Sequence, residues 1–210
     1  MKKLGHITVV GGGTAGFISA LILKTRFPNI SISVIRSSKI GIIGVGEGST
    51  EHWSEFMTYI GVNFKEIIKE CDATFKAGIM FSGWGAEDFL HSTSDEYDKL
   101  NGQSYYVYSH LISNRRPKRE MNPGRTWDLN IPAYCAQYEN NNSPYNQFHF
   151  NTHKLNEFLT KKSIERGITV IDDEITDVIL GENGEINSIV GNKANYISDF
   201  FIDSTGFRRV

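Results

Sequence analysis

Gly11, Gly13 and Gly16 stand between a short apolar run, HITVV (6–10), and a stretch of helical apolar spacing, TAGFISALILKTRF, that stops at Pro28. A run of β-branched residues without alternation is the pattern of a strand covered on both faces of a parallel sheet. A second such run, ISISVI (30–35), follows the helix. Parallel neighbours need a long crossover, so strand, helix and strand make one βαβ unit. In that position GxGxxG has a mechanical meaning. Gly11 permits a tight turn, Gly13 lets the backbone approach a pyrophosphate, and Gly16 lets helix and strand pack closely. The helix N-terminus adds unpaired N–H groups and partial positive charge. The context points to an adenine dinucleotide. Such folds place an acid roughly 20 residues past the loop, on the ribose hydroxyls. Arg36 stands there instead. It fits a 2′-phosphate, a stacked adenine or a solvent-facing side chain, so this position does not choose the cofactor.

Farther along, IGIIGVGEGST (40–50) is a second glycine-rich loop, and HWSEFMTYIG and FKEIIKEC read as two short helices. ATFKAGIMFSGWG (73–85) reads as one strand. Alternation puts Phe75, Ala77, Ile79 and Phe81 on a core face, with Thr74, Lys76, Gly78, Met80 and Ser82 opposite. Taken alone, Lys76 is a lysine whose stem covers a little apolar surface. Residues 86–146 are rich in Ser, Asn, Tyr and Pro, with a strand at SYYVYSHLI and a turn at ENNNSP, and read as an inserted, partly β region covering a pocket. Regular patterning returns with FHFN and the helix THKLNEFLTKKSIERG, for which Thr152 is the expected N-cap and Gly167 the stop. ITVID, a hairpin turning at Asn183–Gly184, and DFFIDSTG (199–206) follow. The expected fold is α/β and Rossmann-like: three layers, a parallel sheet and a β-meander, carried by residues 1–85 and 147–210. The chain stops four residues after its last predicted strand, so it reads as incomplete at the C-terminus, a truncated chain or a fragment.

The charge balance, 22 Lys+Arg against 24 Asp+Glu, gives no electrostatic case for nucleic acid or an anionic membrane. The basic cluster RRPKR (115–119) is short enough to be a solvated loop. Cys71 and Cys135 are far apart, and His52, His91, His110, His149 and His153 lack ligand spacing, so no metal is expected. Gly11–Gly13 break the N-terminal apolar run too early for a signal sequence or a membrane span. The expectation is a soluble cytoplasmic protein.

GGGTAGFISA (11–20), IIGVGEGST (42–50) and ATFKAGIMFSGW (73–84), in that order, resemble the flavin-dependent halogenases of the tryptophan halogenase family. FHFNTHKLNEFL (148–159), ERGITVIDDEITDV (165–178) and FFIDSTGF (200–207) are similar to that family too, while the resemblance fades across 86–144. Many flavin monooxygenases share the first and last motifs; the pair GVGEGS and TFKAG is far more specific. The resemblance implies FAD held at Gly11, Gly13, Thr14, Ala15 and Gly16. Gly44, Val45, Gly46 and Glu47 would lie over the isoalloxazine side, and adenine near Glu174–Ile175, with Ile175 a contact. It further implies reduced flavin from a separate reductase, O₂, and halide, chloride or bromide, as co-substrate. Hypohalous acid would pass through a tunnel to a lysine beside a tryptophan- or indole-like substrate. The lysine of TFKAG matches Lys76, acting as a chloramine or as a hydrogen-bond donor to hypohalous acid. The chemistry suits lysine: its ammonium sits on a flexible stem and burial lowers its pKa towards an amine, which arginine cannot match. Gly78 and Ser82 leave room on that face.

On this reading Arg36 does not indicate NADP. Glu47 suits a cap for the helix near His52 as well as a chemical role, and Asp203 suits a turn as well as a ligand contact. The family's Trp-x-Trp-x-Ile-Pro stretch is absent, since Trp53, Trp84 and Trp127 lack that spacing. It and the glutamate that works with the lysine would fall past Val210. Two other classes share these features: a flavin aromatic hydroxylase, which transfers oxygen without halide, and an inactive FAD-binding fragment.

Overall fold

The N-terminal apolar run becomes an inner strand of a parallel sheet. A computed structural model describes residues 4–44, 46–50, 52–76, 78–84, 89–92 and 147–210. In chain order the elements are β1 (His6–Val10), α1 (Thr14–Arg26), β2 (Ser31–Arg36), β3 (Glu47–Gly48), α2 (His52–Tyr59), α3 (Phe64–Glu70), β4 (Thr74–Phe75), β5 (Gly78–Phe81), β6 (Phe89–Ser92), β7 (Phe148–Phe150), α4 (Thr152–Glu165), β8 (Thr169–Asp172), β9 (Ile175–Leu180), β10 (Ile186–Gly191), β11 (Asn195–Tyr196) and β12 (Phe200–Asp203), closed by a 3-10 turn at Gly206–Arg208. They fall into two units, Met1–Glu47 with Phe56–Ala73 and Phe150–Val210, and Gly48–Glu55 with Thr74–His149.

In the first unit the parallel sheet runs β12-β1-β2-β8. Ile7, Val9, Ile32, Val34 and Ile35 are all at most 2% exposed, which is why β1 and β2 show no alternation. α1 buries Phe17, Ala20 and Leu21, the i, i+3, i+4 stripe of an amphipathic helix. It packs against α4, which buries Leu155, Phe158 and Leu159. Each such side chain contributes roughly 1.5–3 kcal/mol of burial. α1 ends ahead of Pro28, with the Phe27 N–H on the Leu23 carbonyl. At the start of α4 the cap is Asn151, not Thr152: the Asn151 side chain accepts the Lys154 N–H at 3.2 Å. Thr152 is displaced into the helix because its side chain is buried against Gly44. Gly167 terminates α4 at φ +72°, and the N–H groups of Gly167 and Ile168 donate to the carbonyls of Ile164 and Ser163.

The meander is β9-β10-β11, antiparallel throughout. Its turn spans 181–185, with Gly184 at φ +84°. β11 is too short to show a sequence pattern. Ile175 and Ile189 join Val10 and Ile35 in one apolar cluster, tying meander to sheet. Buried Asp173 pins the same junction, accepting from the Tyr196 hydroxyl at 2.8 Å, the Lys193 N–H at 3.1 Å and the Glu174 N–H at 2.8 Å. Cys71 is buried and free, its thiol pushed up to about 12 by burial and by the carboxylates of Glu70 and Asp72.

In the second unit β4 pairs antiparallel with β7, Thr74 opposite His149 and Phe75 opposite Phe148, in a sheet ordered β3-β7-β4. Among the described residues β5 pairs with β6 alone. The single strand expected over 73–85 is therefore two strands in different sheets. Phe75 packs on Phe148 with ring centroids 5.1 Å apart, whereas Ile79 and Met80 stay 40% and 62% exposed. Among the described residues the alternating core face is therefore continuous only as far as Phe75. The strand SYYVYSHLI, the turn ENNNSP and, apart from β6, the inserted region 86–146 lie outside the described residues.

Burial raises the Asp173 carboxyl, but hydrogen bonds from Tyr196, Lys193 and Glu174 more than offset this and leave it below its ordinary value of 3.8. A depressed carboxyl stabilises the fold above its unfolded pKa and loses that contribution as pH falls through the folded value. Urea unfolding should show a midpoint that drops below about pH 3.8. Asp173→Ala should cost on the order of 1–3 kcal/mol at pH 7, by removing the shared acceptor of the Tyr196 hydroxyl and the Lys193 and Glu174 N–H groups.

Candidate functional site

β1 leads through α1 to β2 on one side, while β12 lies on the other. The strand order therefore reverses at β1, and ligands of open α/β sheets sit outside the carboxyl ends at such a point. The glycine loop is placed there. The Gly11 N–H donates to the Ile35 carbonyl and the Ser204 N–H to the Val10 carbonyl. Gly11 has φ +113°, and a Cβ on it would run into the Ser204 carbonyl. A Cβ on Gly16 would run into the carbonyl of Gly11. Gly13 is different: it has φ −77°, and a Cβ there meets no described residue within 4 Å. The protein itself thus requires glycine at 11 and 16, while the space over Gly13 is open. Among the described residues no side chain caps α1, so Thr14, Ala15 and Gly16 form an uncapped helix start.

Two further residues shape this loop. Asn156 Nδ2 of α4 donates to the Gly12 carbonyl at 2.7 Å, and the Arg36 stem covers Gly12 where a Cβ would stand. Asn156 is a buried polar residue in the apolar stripe of α4, a pattern that marks a specific hydrogen bond. Asp203 Oδ1 accepts the N–H and hydroxyl of Thr205 at 2.8 and 2.6 Å, the turn role. Ile175 is 4% exposed within the apolar cluster, so its backbone is what it offers a ligand.

In the second glycine loop, a Cβ on Gly44 would overlap the Thr152 methyl, so only glycine lets this strand of loop lie on α4. Gly46 has open space around it, Glu47 is in β3, and Val45 lies outside the described residues. The loop passes into the second unit at Gly48, where Ser49 is buried. Its N–H donates to the Phe148 carbonyl at 2.8 Å, and its hydroxyl accepts the Phe148 N–H at 2.9 Å. Lys76 is half-buried. Its N–H donates to the Gln147 carbonyl at 2.9 Å, extending the β4–β7 ladder, and its ammonium donates to the Ser49 carbonyl at 3.1 Å. Lys76 Cδ and His149 Nδ1 come within 3.7 and 3.4 Å of the point where a Gly48 Cβ would stand. Lys76 is thus docked on the end of GVGEGS and is not a solvated stem. The structure groups Gly11–Gly16, Arg36 and Ile175 in one unit, and Lys76, Gly48, Ser49 and His149 in the other.

The model of the tryptophan halogenase family matches residues 6–210. The chain belongs to the tryptophan halogenase family. It is 29% identical over 234 residues to the 7-chloro-L-tryptophan 6-halogenase of Kutzneria sp. (strain 744), covering 96% of this chain and 44% of that protein. It is 28% identical over 236 residues to the tryptophan 6-halogenase of Streptomyces toxytricini, covering 97% and 44%. A thermophilic tryptophan halogenase from Streptomycin violaceusniger superposes with a TM-score of 0.75 at 26% identity, covering 98% of this chain and 46% of that one. The chain spans less than half the length of these halogenases. The α/β fold with its parallel sheet is the fold of their matching part.

The glycine geometry sorts the loop by variant. Gly16→Ala should destabilise the fold by roughly 1–3 kcal/mol, because backbone must shift to admit the methyl. Gly13→Ala should leave stability unchanged or raise it by up to about 1 kcal/mol. Thermal melts of the two variants check the contrast.

Proposed function

We propose that this chain is the FAD-binding, lysine-bearing part of a flavin-dependent halogenase that acts on tryptophan or a related indole, with O₂ and halide as co-substrates. The observation that carries the reading is the hydrogen bond from Lys76 to Ser49, which joins TFKAG to GVGEGS, the two motifs specific to the family. Two relatives are tryptophan 6-halogenases by name, one of them specified for 7-chloro-L-tryptophan, which supports the substrate class.

The residues fit FAD. The open space over Gly13 and the uncapped start of α1 form a cradle that a side chain would fill. N–H groups of Thr14, Ala15 and Gly16 there bind a pyrophosphate, helped by the positive end of the helix. Gly11 and Gly16 hold that turn in shape. Gly44, Val45, Gly46 and Glu47 carry the isoalloxazine side, and Ile175 offers its backbone near adenine. When bound, reduced FAD supplies electrons to O₂, and the resulting oxidising equivalent converts halide into hypohalous acid. Lys76 then holds the halogen for transfer to the aromatic ring, either by donating a hydrogen bond to hypohalous acid or as an amine that carries the halogen. Ser49 orients its ammonium. Residues 1–85 and 147–210 make up the FAD-binding part. A separate reductase supplies the flavin in the cytoplasm. Among the described residues no helix is long and apolar enough to cross a membrane.

The test is product analysis with reduced FAD, O₂, bromide and tryptophan, in this chain completed by the C-terminal part of the Streptomyces toxytricini relative. Lys76→Ala should lower brominated product by roughly 100-fold or more while FAD binding and O₂ consumption persist. Lys76→Arg separates the two roles: a guanidinium still donates hydrogen bonds but is not a nucleophilic amine, so failure equal to Lys76→Ala selects the amine. Wild-type halogenation by Lys76→Ala would reject the assignment. Gly13→Leu should abolish FAD retention without lowering the melting temperature.

A further inference from the structure

Arg36 occupies the place where dinucleotide-binding folds put the ribose-binding acid, and the next strand offers a carboxylate instead. The β2–β8 register pairs Arg36 with Asp172, so both stand at the carboxyl ends of neighbouring parallel strands. Such strands lie about 4.8 Å apart. Asp172 is held in one orientation by the turn after β2: Oδ1 accepts the Ser38 N–H and Oδ2 the Ser38 hydroxyl, each at 2.8 Å. These bonds, with Lys193 and Arg36 nearby, hold its carboxyl below the ordinary value. A carboxylate has about four acceptor positions, and Ser38 takes two. The side chain is 51% exposed, with the Lys193 ammonium 3.8 Å from Oδ2. Beside it opens a cleft lined by Ser37, Lys39, Glu174, Asn192 and Lys193. On its other flank the Arg36 stem lies across Gly12, next to the glycine loop.

We propose that Asp172, oriented by Ser38, accepts the adenosine ribose hydroxyls of the dinucleotide. The assignment rests on the flavin reading above. It replaces the missing acid of β2 by one on β8, and it sets a preference. Ionised Asp172 welcomes two hydroxyl donors and repels a 2′-phosphate, which has only acceptors at neutral pH. Of the other acids at the cleft, Glu174 is paired with Arg208 at 2.9 Å and Asp173 is buried with its own donors. Asp172 lines the cleft with its side chain half exposed.

Titrations of the full chain with FAD and FMN, and competition by ADP and by 2′-phosphorylated ADP, test this. Asp172→Asn keeps an acceptor for the Ser38 N–H, so its melting temperature should hold. It should weaken FAD and ADP roughly 10- to 100-fold and leave FMN unchanged, because FMN lacks the adenosine half. Arg36→Glu in the Asp172→Asn background should restore FAD affinity by returning an acid to the end of β2. Wild-type protein should bind ADP more tightly than its 2′-phosphate. Unchanged FAD affinity in Asp172→Asn, or tighter binding of the 2′-phosphate lost in Arg36→Ala, would overturn the assignment. ADP binding without FAD binding would reject the flavin reading and support the ribose site. Binding of neither would reject both.

Discussion

The first turn of α1 lies on the Gly11 carbonyl with no room for a side chain at Gly16, and Gly11 lies on the Ser204 carbonyl with none at its own position. Everything at the carboxyl edge of the parallel sheet follows from this contact. It brings the helix start against the reversal of strand order at β1, where the backbone donors of α1 meet no capping side chain among the described residues. Asn156 fastens the loop from α4, and the Arg36 stem closes it from β2. A helix start left uncapped in a loop this constrained is costly to the protein alone, since its N–H groups must find water or a ligand. An anion restores the balance.

The second glycine loop solves a different problem. Gly44 lets the chain lie on α4, and the chain then enters β3 and turns its Ser49 into the ladder of β7. The same segment gives the Lys76 ammonium a backbone acceptor, the Ser49 carbonyl at 3.1 Å.

The βαβ unit was legible because it rests on local physics: β-branched runs buried on both faces, a helical apolar stripe, and glycines whose positions demand a missing Cβ. The end of α4 was legible for the same reason, Gly167 at positive φ. Where the outcome depended on pairing between distant segments, the sequence said less. Residues 73–85 alternate as one strand, yet β4 and β5 join different sheets because their partners differ. Thr152 has the chemistry of an N-cap, but burial against Gly44 hands that role to Asn151. Ser49 and Asp172 were not singled out at all. Their roles come from hydrogen bonds to Lys76 and Phe148 and, across 134 residues, to Ser38. Family resemblance located Lys76, whereas periodicity alone left it a surface lysine.

The most direct measurement is a crystal structure of the chain soaked with FAD. The account predicts pyrophosphate density over Gly13, within hydrogen-bond distance of the N–H groups of Thr14, Ala15 and Gly16, with α1 and the glycine loop unmoved. Flavin bound elsewhere with the start of α1 facing only water, or no bound flavin at saturating concentration, would contradict it.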